Sequence, residues 1–154
     1  MEPEDIDTLL PRELVSLEEP PAEKEACIEH LLDMAVEAGR IEDREAALEA
    51  LLAREEETTT GVGLGIGIPH AQTDAVTEPT VAFVRSDRGV DFDAMDDQPA
   101  TLIFMLLVPE GGEEEHLNML STLSRALMHE ETRDSLHEAE SPEEVRGTLK
   151  EAVA

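Results

Sequence analysis

His70 stands directly behind Pro69, at the end of Gly63-Leu64-Gly65-Ile66-Gly67-Ile68, a run in which glycine alternates with an apolar residue. Side chains of an extended segment point alternately to opposite faces, so the glycines leave one face bare. A bare face lets another backbone or a ligand come close. Pro69 fixes its own φ and keeps Ile68 extended, which presents His70 on a stiff stalk. A neutral imidazole is a good nucleophile near pH 7, because its reference pKa is about 6.5. It accepts a phosphoryl group without metal or cofactor when the donor is already activated. The second imidazole of interest is His116. It opens a stripe with Leu120, Leu123 and Leu127, spaced 4, 3 and 4 along a predicted helix. His70 and His116 are expected to meet at one sheet edge. A phosphoryl group on His70 brings up to about two negative charges, which a chain of net charge −27 repels at low salt. A helix N-terminus, the second imidazole, an arginine and the exposed N–H groups of the glycine segment are the donors that would hold it.

Other chemistries lack their residues. A dinucleotide fingerprint needs G-x-G-x-x-G opening a helix, but here Pro69 interrupts the segment, and no Gly-Lys-Ser/Thr of a phosphate-binding loop occurs. There is no G-x-S-x-G for a serine hydrolase and no H-E-x-x-H for a zinc site. A metal site from His116, His129 or His137 with nearby glutamates is poorly specified, and Asp91-Phe-Asp-Ala-Met-Asp-Asp lacks the glycine and terminal glutamate of a calcium loop. Cys27 is the only cysteine, which excludes an internal disulfide; its reading is a small packed core residue. No metal and no cofactor are expected.

The elements that must position these groups follow from periodicity and breakers. Leu14–Leu17 reads as a short strand before Glu19-Pro20-Pro21. A helix over about 22–38 carries Ile28, Leu31, Leu32 and Ala35 on one face and stops at Gly39. A second helix over about 43–57 buries Leu48, Leu51 and Leu52 and holds Arg54 near its C-terminal end, where the helix dipole favours a cation. Thr80–Arg85 and the apolar run Thr101–Val108 read as strands, the latter covered on both faces. Residues 86–100 between them read as a solvated loop. Helices are predicted over about 113–129 and 132–138. The last helix opens with the capping box Ser141-Pro142-Glu143-Glu144 and turns Val145 and Leu149 inward. Strands and helices intermix, so the expected fold is α/β: one domain, residues 1–154, a mixed β-sheet flanked by helices on both sides.

Composition sets the remaining bounds. At 154 residues the chain should bury roughly 70% of its unfolded surface. Its core must be aliphatic, with three phenylalanines and no tryptophan or tyrosine. The 38 acidic residues face 11 basic ones, of which only Lys24 and Lys150 are lysines. Such a surface suits a very salty cytoplasm, where a Debye length of about 3 Å hides self-repulsion; a soluble acidic protein of ordinary surroundings is the alternative. No basic patch exists to neutralise nucleic-acid phosphates. The acidic start and the lack of an apolar run of about 18 residues lead to the expectation of a soluble, cytoplasmic protein.

Arg54-Glu55-Glu56-Glu57-Thr58-Thr59-Thr60-Gly61, followed by Gly-x-Gly-Ile-Gly-Ile-Pro-His70-Ala71, resembles the signature of the enzyme IIA domain of the fructose/mannitol class of the phosphoenolpyruvate:sugar phosphotransferase system. Leu107-Val108-Pro109 with His116-Leu117-x-x-Leu120-x-x-Leu123 is similar to the family's second histidine helix, and Glu23-Lys24-Glu25 fits the start of its first helix. The match runs from about Leu14 to Leu149. Gly67 stands where the family often has alanine, and Thr59 where it often has serine. The resemblance implies a phosphotransferase in which His70 receives phosphate from the carrier protein HPr and passes it to a cysteine of enzyme IIB, for uptake of a sugar, fructose in the first instance. It implies that His116 hydrogen-bonds the phosphoryl group, that Arg54 lies near it and that Thr60 supports the loop. Contact with a membrane would be indirect, through the IIB/IIC permease. The alternative is the nitrogen-related regulatory enzyme IIA, phosphorylated in the same way but acting by binding targets. The acidic surface puts compatibility with ordinary bacterial HPr in question.

Overall fold

A computed structural model describes all of residues 1–154. In chain order the elements are α1 (Asp5–Leu9), a 3-10 turn (Arg12–Leu14), β1 (Val15–Ser16), α2 (Lys24–Glu37), α3 (Arg44–Glu57), β2 (Gly61–Gly63), β3 (Ile66–Gly67), β4 (His70–Gln72), β5 (Thr80–Val90), β6 (Ala100–Val108), α4 (Glu113–Leu127), α5 (Glu130–Glu138) and α6 (Pro142–Val153). The six strands form one mixed sheet in the order β1-β5-β6-β3-β2, with β4 also paired to β6. β5 and β6 are antiparallel; β1 runs parallel to β5, and β3 and β4 run parallel to β6. Helices α2 and α3 pack on each other against the sheet, while α1, α4, α5 and α6 pack among themselves against it. This is the α/β architecture expected, with helices on both faces.

The centre of the sheet explains itself. Leu102 through Leu107 of β6 are all fully buried, as are Ala82, Phe83 and Val84 of β5. A strand with no polar face needs a helix layer on each side. Phe83 and Phe104 pair across β5 and β6 with ring centroids 4.8 Å apart. Cys27 sits in the core among these residues, where burial pushes its thiol up to about 12; it packs as a small core residue. No helix is long and apolar enough to cross a membrane.

Four local readings need correction. The strand expected over Leu14–Leu17 shrinks to Val15–Ser16, because Pro11 opens a 3-10 turn that takes Leu14. Helix α1 is too short and acidic to show a periodic stripe; it is held by Ile6 and Leu9, which are buried in the core, and by Asp7, which pairs with Arg146 and Lys150 of α6. The polar stretch 86–100 is only partly a solvated loop. β5 runs on to Val90, with its register to β6 shifting after Arg85, and Ser86, Val90, Phe92 and Ala94 are buried. Finally, the glycine run is not one extended stalk. Gly61–Gly63 and Ile66–Gly67 form an antiparallel hairpin. Its turn residues, Leu64 and Gly65, have φ of 60° and 77°, the backbone that a tight primed hairpin turn requires.

The bare glycine face exists, and the protein's own loop covers it. A Cβ on Gly61 would lie 2.8 Å from Phe92 Cβ, and one on Gly67 would lie 3.3 Å from the Phe92 ring. Gly63 and Gly65 face Asp96 and Thr101 in the same way. Gly61→Ala should therefore destabilise the fold by about 1–3 kcal/mol, the usual range for overpacking. Gly67→Ala should cost less, since the neighbouring ring has only to shift slightly. Thermal melts followed by circular dichroism check the ranking; equal melting temperatures for Gly61→Ala and the parent would contradict it.

Candidate functional site

β4 ends the path from the glycine hairpin and lies along β6, with His70 opposite Leu106. Its position at the start of β4 is held from both sides: the Leu106 N–H donates to the Pro69 carbonyl at 2.9 Å, and His70 Nδ1 lies 2.6 Å from the Ile68 carbonyl oxygen. A carbonyl only accepts, so Nδ1 carries the ring proton and Nε2 is left with its lone pair. His70 is 9% exposed. Its ring is sunk into the wall of a cleft of about 550 Å³ that also exposes Arg54, His116, Gln72, Leu117 and Leu120. The histidine is reachable at its edge.

His116 enters this cleft from the first turn of α4. The two imidazole rings stand 5.3 Å apart, centroid to centroid, at 64°. No side chain caps the N-terminus of α4, so its first-turn N–H groups remain available to an anion, and the positive end of the helix dipole faces the same cleft. His116 Nδ1 is buried without any hydrogen-bond partner in the protein. An unpaired buried polar atom costs about 1–3 kcal/mol. That cost is understandable where a partner arrives with the substrate.

Arg54 lies in the last turn of α3, half-buried in the same cleft. Every other lysine and arginine has a carboxylate, hydroxyl or carbonyl partner within the protein. Arg54 has none, in a chain with 38 acidic residues. Its guanidinium is the one lysine or arginine head group left free, and it lines the same cleft as His70 and His116. Thr60 is buried, not in the cleft but behind it, where its hydroxyl and N–H both donate to the Glu55 carboxylate.

The electrostatics favour neutral rings. Burial holds the His70 pKa below its ordinary value; the Ile68 carbonyl opposes this, and the Arg54 charge adds to it. His116 is held low by burial, then by His70 and Arg54. Both imidazoles are thus uncharged at neutral pH, and Nε2 of His70 keeps its lone pair there. A reaction at this atom should lose rate as pH falls through a midpoint below 6.5, when the ring takes a second proton. Single-turnover rates against pH test this; a midpoint above 6.5 would contradict it.

The structure brings together His70, His116 and Arg54, all three singled out from sequence. Two amides of the glycine segment are engaged within the protein and not turned to the cleft: Gly61 N–H donates to Thr59 and Leu64 N–H to Asp96. Sequence reasoning passed over Glu55 and Lys24 as functional groups. In so acidic a chain a buried glutamate carries no signal that separates it from the exposed ones. A second concavity, of about 400 Å³ between α1 and α4, is lined by Asp5, Glu78 and Glu115 without a histidine, cysteine or basic side chain.

Comparison with known proteins places the chain in a family. Residues 8–152 match the family described as phosphoenolpyruvate-dependent sugar phosphotransferase system, EIIA 2. The chain belongs to this family. This EIIA chain is 65% identical over 153 residues to the PTS system fructose-specific EIIA component of Haloferax volcanii, covering 99% of both chains. The crystal structure of nitrogen regulatory protein IIA-Ntr from Neisseria meningitidis superposes with a TM-score of 0.83 at 36% identity, over 94% of this chain and 98% of that one. Enzyme IIAMTL of Escherichia coli, solved in complex with phosphorylated enzyme IIBMTL, superposes with a TM-score of 0.79 at 28% identity, over 91% of this EIIA and 96% of that chain.

Proposed function

We propose that this EIIA, one unit spanning residues 1–154, is a cytoplasmic phosphocarrier for fructose uptake: it takes a phosphoryl group from phospho-HPr onto Nε2 of His70 and passes it to a cysteine of enzyme IIB. The observation that carries this reading is the pairing of a bare, neutral His70 Nε2 with an unpartnered His116 and an unpartnered Arg54 in one cleft. The lone pair of Nε2 attacks phosphorus in line, the donor–phosphorus bond breaks, and its electron pair leaves with the donor. The proton on Nδ1 stays in place, and the Ile68 carbonyl accepts from it more strongly as the ring gains positive charge. The second transfer reverses the roles: a thiolate attacks, the N–P bond breaks, and neutral His70 is restored. Catalysis is positioning and charge stabilisation, with the α4 N-terminus, Arg54 and His116 facing the phosphoryl oxygens.

The fructose assignment is supported by the 65% identity to the Haloferax fructose-specific component, against 36% to the nitrogen regulatory structure. The regulatory reading shares the same histidine. A reconstituted relay separates them: phosphoenolpyruvate, enzyme I, HPr, this EIIA and the matched IIB/IIC should phosphorylate fructose in high salt. Absence of sugar phosphate despite labelled EIIA would favour the regulatory reading. In the same assay His116→Ala should accept phosphate but deliver it to IIB about 10²-fold more slowly, the usual loss for one stabilising donor. Delivery at the parent rate would remove His116 from the site.

A further inference from the structure

A buried carboxylate behind the cleft has no part in the chemistry described so far. Glu55 lies in the last turn of α3, where the helix dipole disfavours a negative charge, yet its side chain is only 7% exposed. Its Oε2 accepts from Lys24 Nζ at 3.2 Å and from the Thr60 N–H at 3.0 Å, and its Oε1 accepts from the Thr60 hydroxyl. The Thr60 carbonyl in turn accepts from the Ile68 N–H at 2.9 Å. The other end of the Ile68 residue, its carbonyl, accepts from His70 Nδ1 at 2.6 Å. The path from the carboxylate to the imidazole thus runs through two residues, Thr60 and Ile68, with a hydrogen bond at each junction. Lys24 also pairs with Asp93 and sits 5.8 Å over the Phe92 ring, which covers the glycine face of the hairpin. The hairpin is therefore clamped on the side away from the cleft.

We propose that Glu55, neutralised by Lys24 and seated on Thr60, is a positioning residue that sets the Ile68 carbonyl against His70 Nδ1 and so fixes the tautomer that leaves Nε2 bare. Without the carboxylate, Thr60 loses both anchors and the Ile68 carbonyl is free to turn. The ring then exchanges between its two tautomers, and in one of them Nε2 carries the proton and cannot attack. The proposal deepens the phosphocarrier reading and rests on it for the rate, but not for the tautomer.

The test is a series, Lys24→Met, Thr60→Val and Glu55→Ala, with Glu55→Gln as the conservative rescue. Lys24 is partly solvent-exposed and has a second partner, so that variant keeps the fold if the others lose it. The ¹⁵N resonances of His70 report the tautomer directly, a signature that a merely structural role would not move. The parent should show one tautomer with Nδ1 protonated. Glu55→Ala and Thr60→Val should show averaged ring nitrogens, Lys24→Met a smaller shift in the same direction, and Glu55→Gln a return towards the parent. Single-turnover phosphoryl acceptance should fall about 10-fold to 100-fold in Glu55→Ala, the cost of a misplaced reacting group. Folded variants with the parental ¹⁵N pattern would overturn the proposal. If the ring nitrogens average as described while the parent accepts no phosphate from phospho-HPr, the carrier reading fails and the brace stands.

Discussion

His70→Ala should take up no phosphate at all from phosphoenolpyruvate, enzyme I and HPr, under conditions where the parent is labelled stoichiometrically. The effect is expected to be total because the molecule offers no substitute. His116 lies 5.3 Å away by ring centroid, but no carbonyl bonded to its Nδ1 fixes its tautomer. The alanine variant should still fold. It removes one hydrogen bond of about 1 kcal/mol and opens a small gap at the cleft wall, not in the core. Labelled His70→Ala with acid-labile phosphate would mean that another side chain is the acceptor.

Arg54→Met should produce the second-largest loss, about 10²–10³ in the rate of phosphoryl acceptance, or about 2.7–4 kcal/mol of transition-state stabilisation. The argument is one of charge. A chain of net charge −27 must bring an anionic phosphoryl group past Glu57 and Glu113, which line the same cleft. Arg54 is the only lysine or arginine without an internal partner. Methionine keeps the length and much of the packing of the stem, so the fold should persist. Lysine at this position should recover only part of the rate, since it lacks the planar fork that holds two phosphoryl oxygens. Rapid-quench single-turnover measurements in high salt decide it; a rate within threefold of the parent would assign Arg54 to helix capping alone.

Much of this site is legible in the sequence because its signals are local. Pro69 behind Ile68 marks the presentation of His70, and the 4, 3 and 4 spacing from His116 to Leu127 marks the helix that brings the second ring. Arg54 is visible as a motif residue; its freedom from partners is not, because that depends on where the other cations end up. The covering of the glycine face by Phe92 and the seating of Glu55 on Thr60 depend on contacts between segments dozens of residues apart, which periodicity does not encode. The fold shows the same division. The buried run of β6 and the capped start of α6 follow from their own residues. The two-residue β1 depends on pairing with Phe83 and Val84, and the short α1 on seating Ile6 and Leu9 in the core beside the Asp7–Arg146 pair. The hairpin at Leu64 and Gly65 was hidden by an alternation that reads equally well as one straight strand.

The most direct test is the position of the phosphate. A ³¹P–¹⁵N correlation on the phosphorylated protein, with histidine ¹⁵N-labelled, should place phosphorus on Nε2 of His70, with Nδ1 still protonated against the Ile68 carbonyl. Phosphorus on Nδ1, or on His116, would contradict the account.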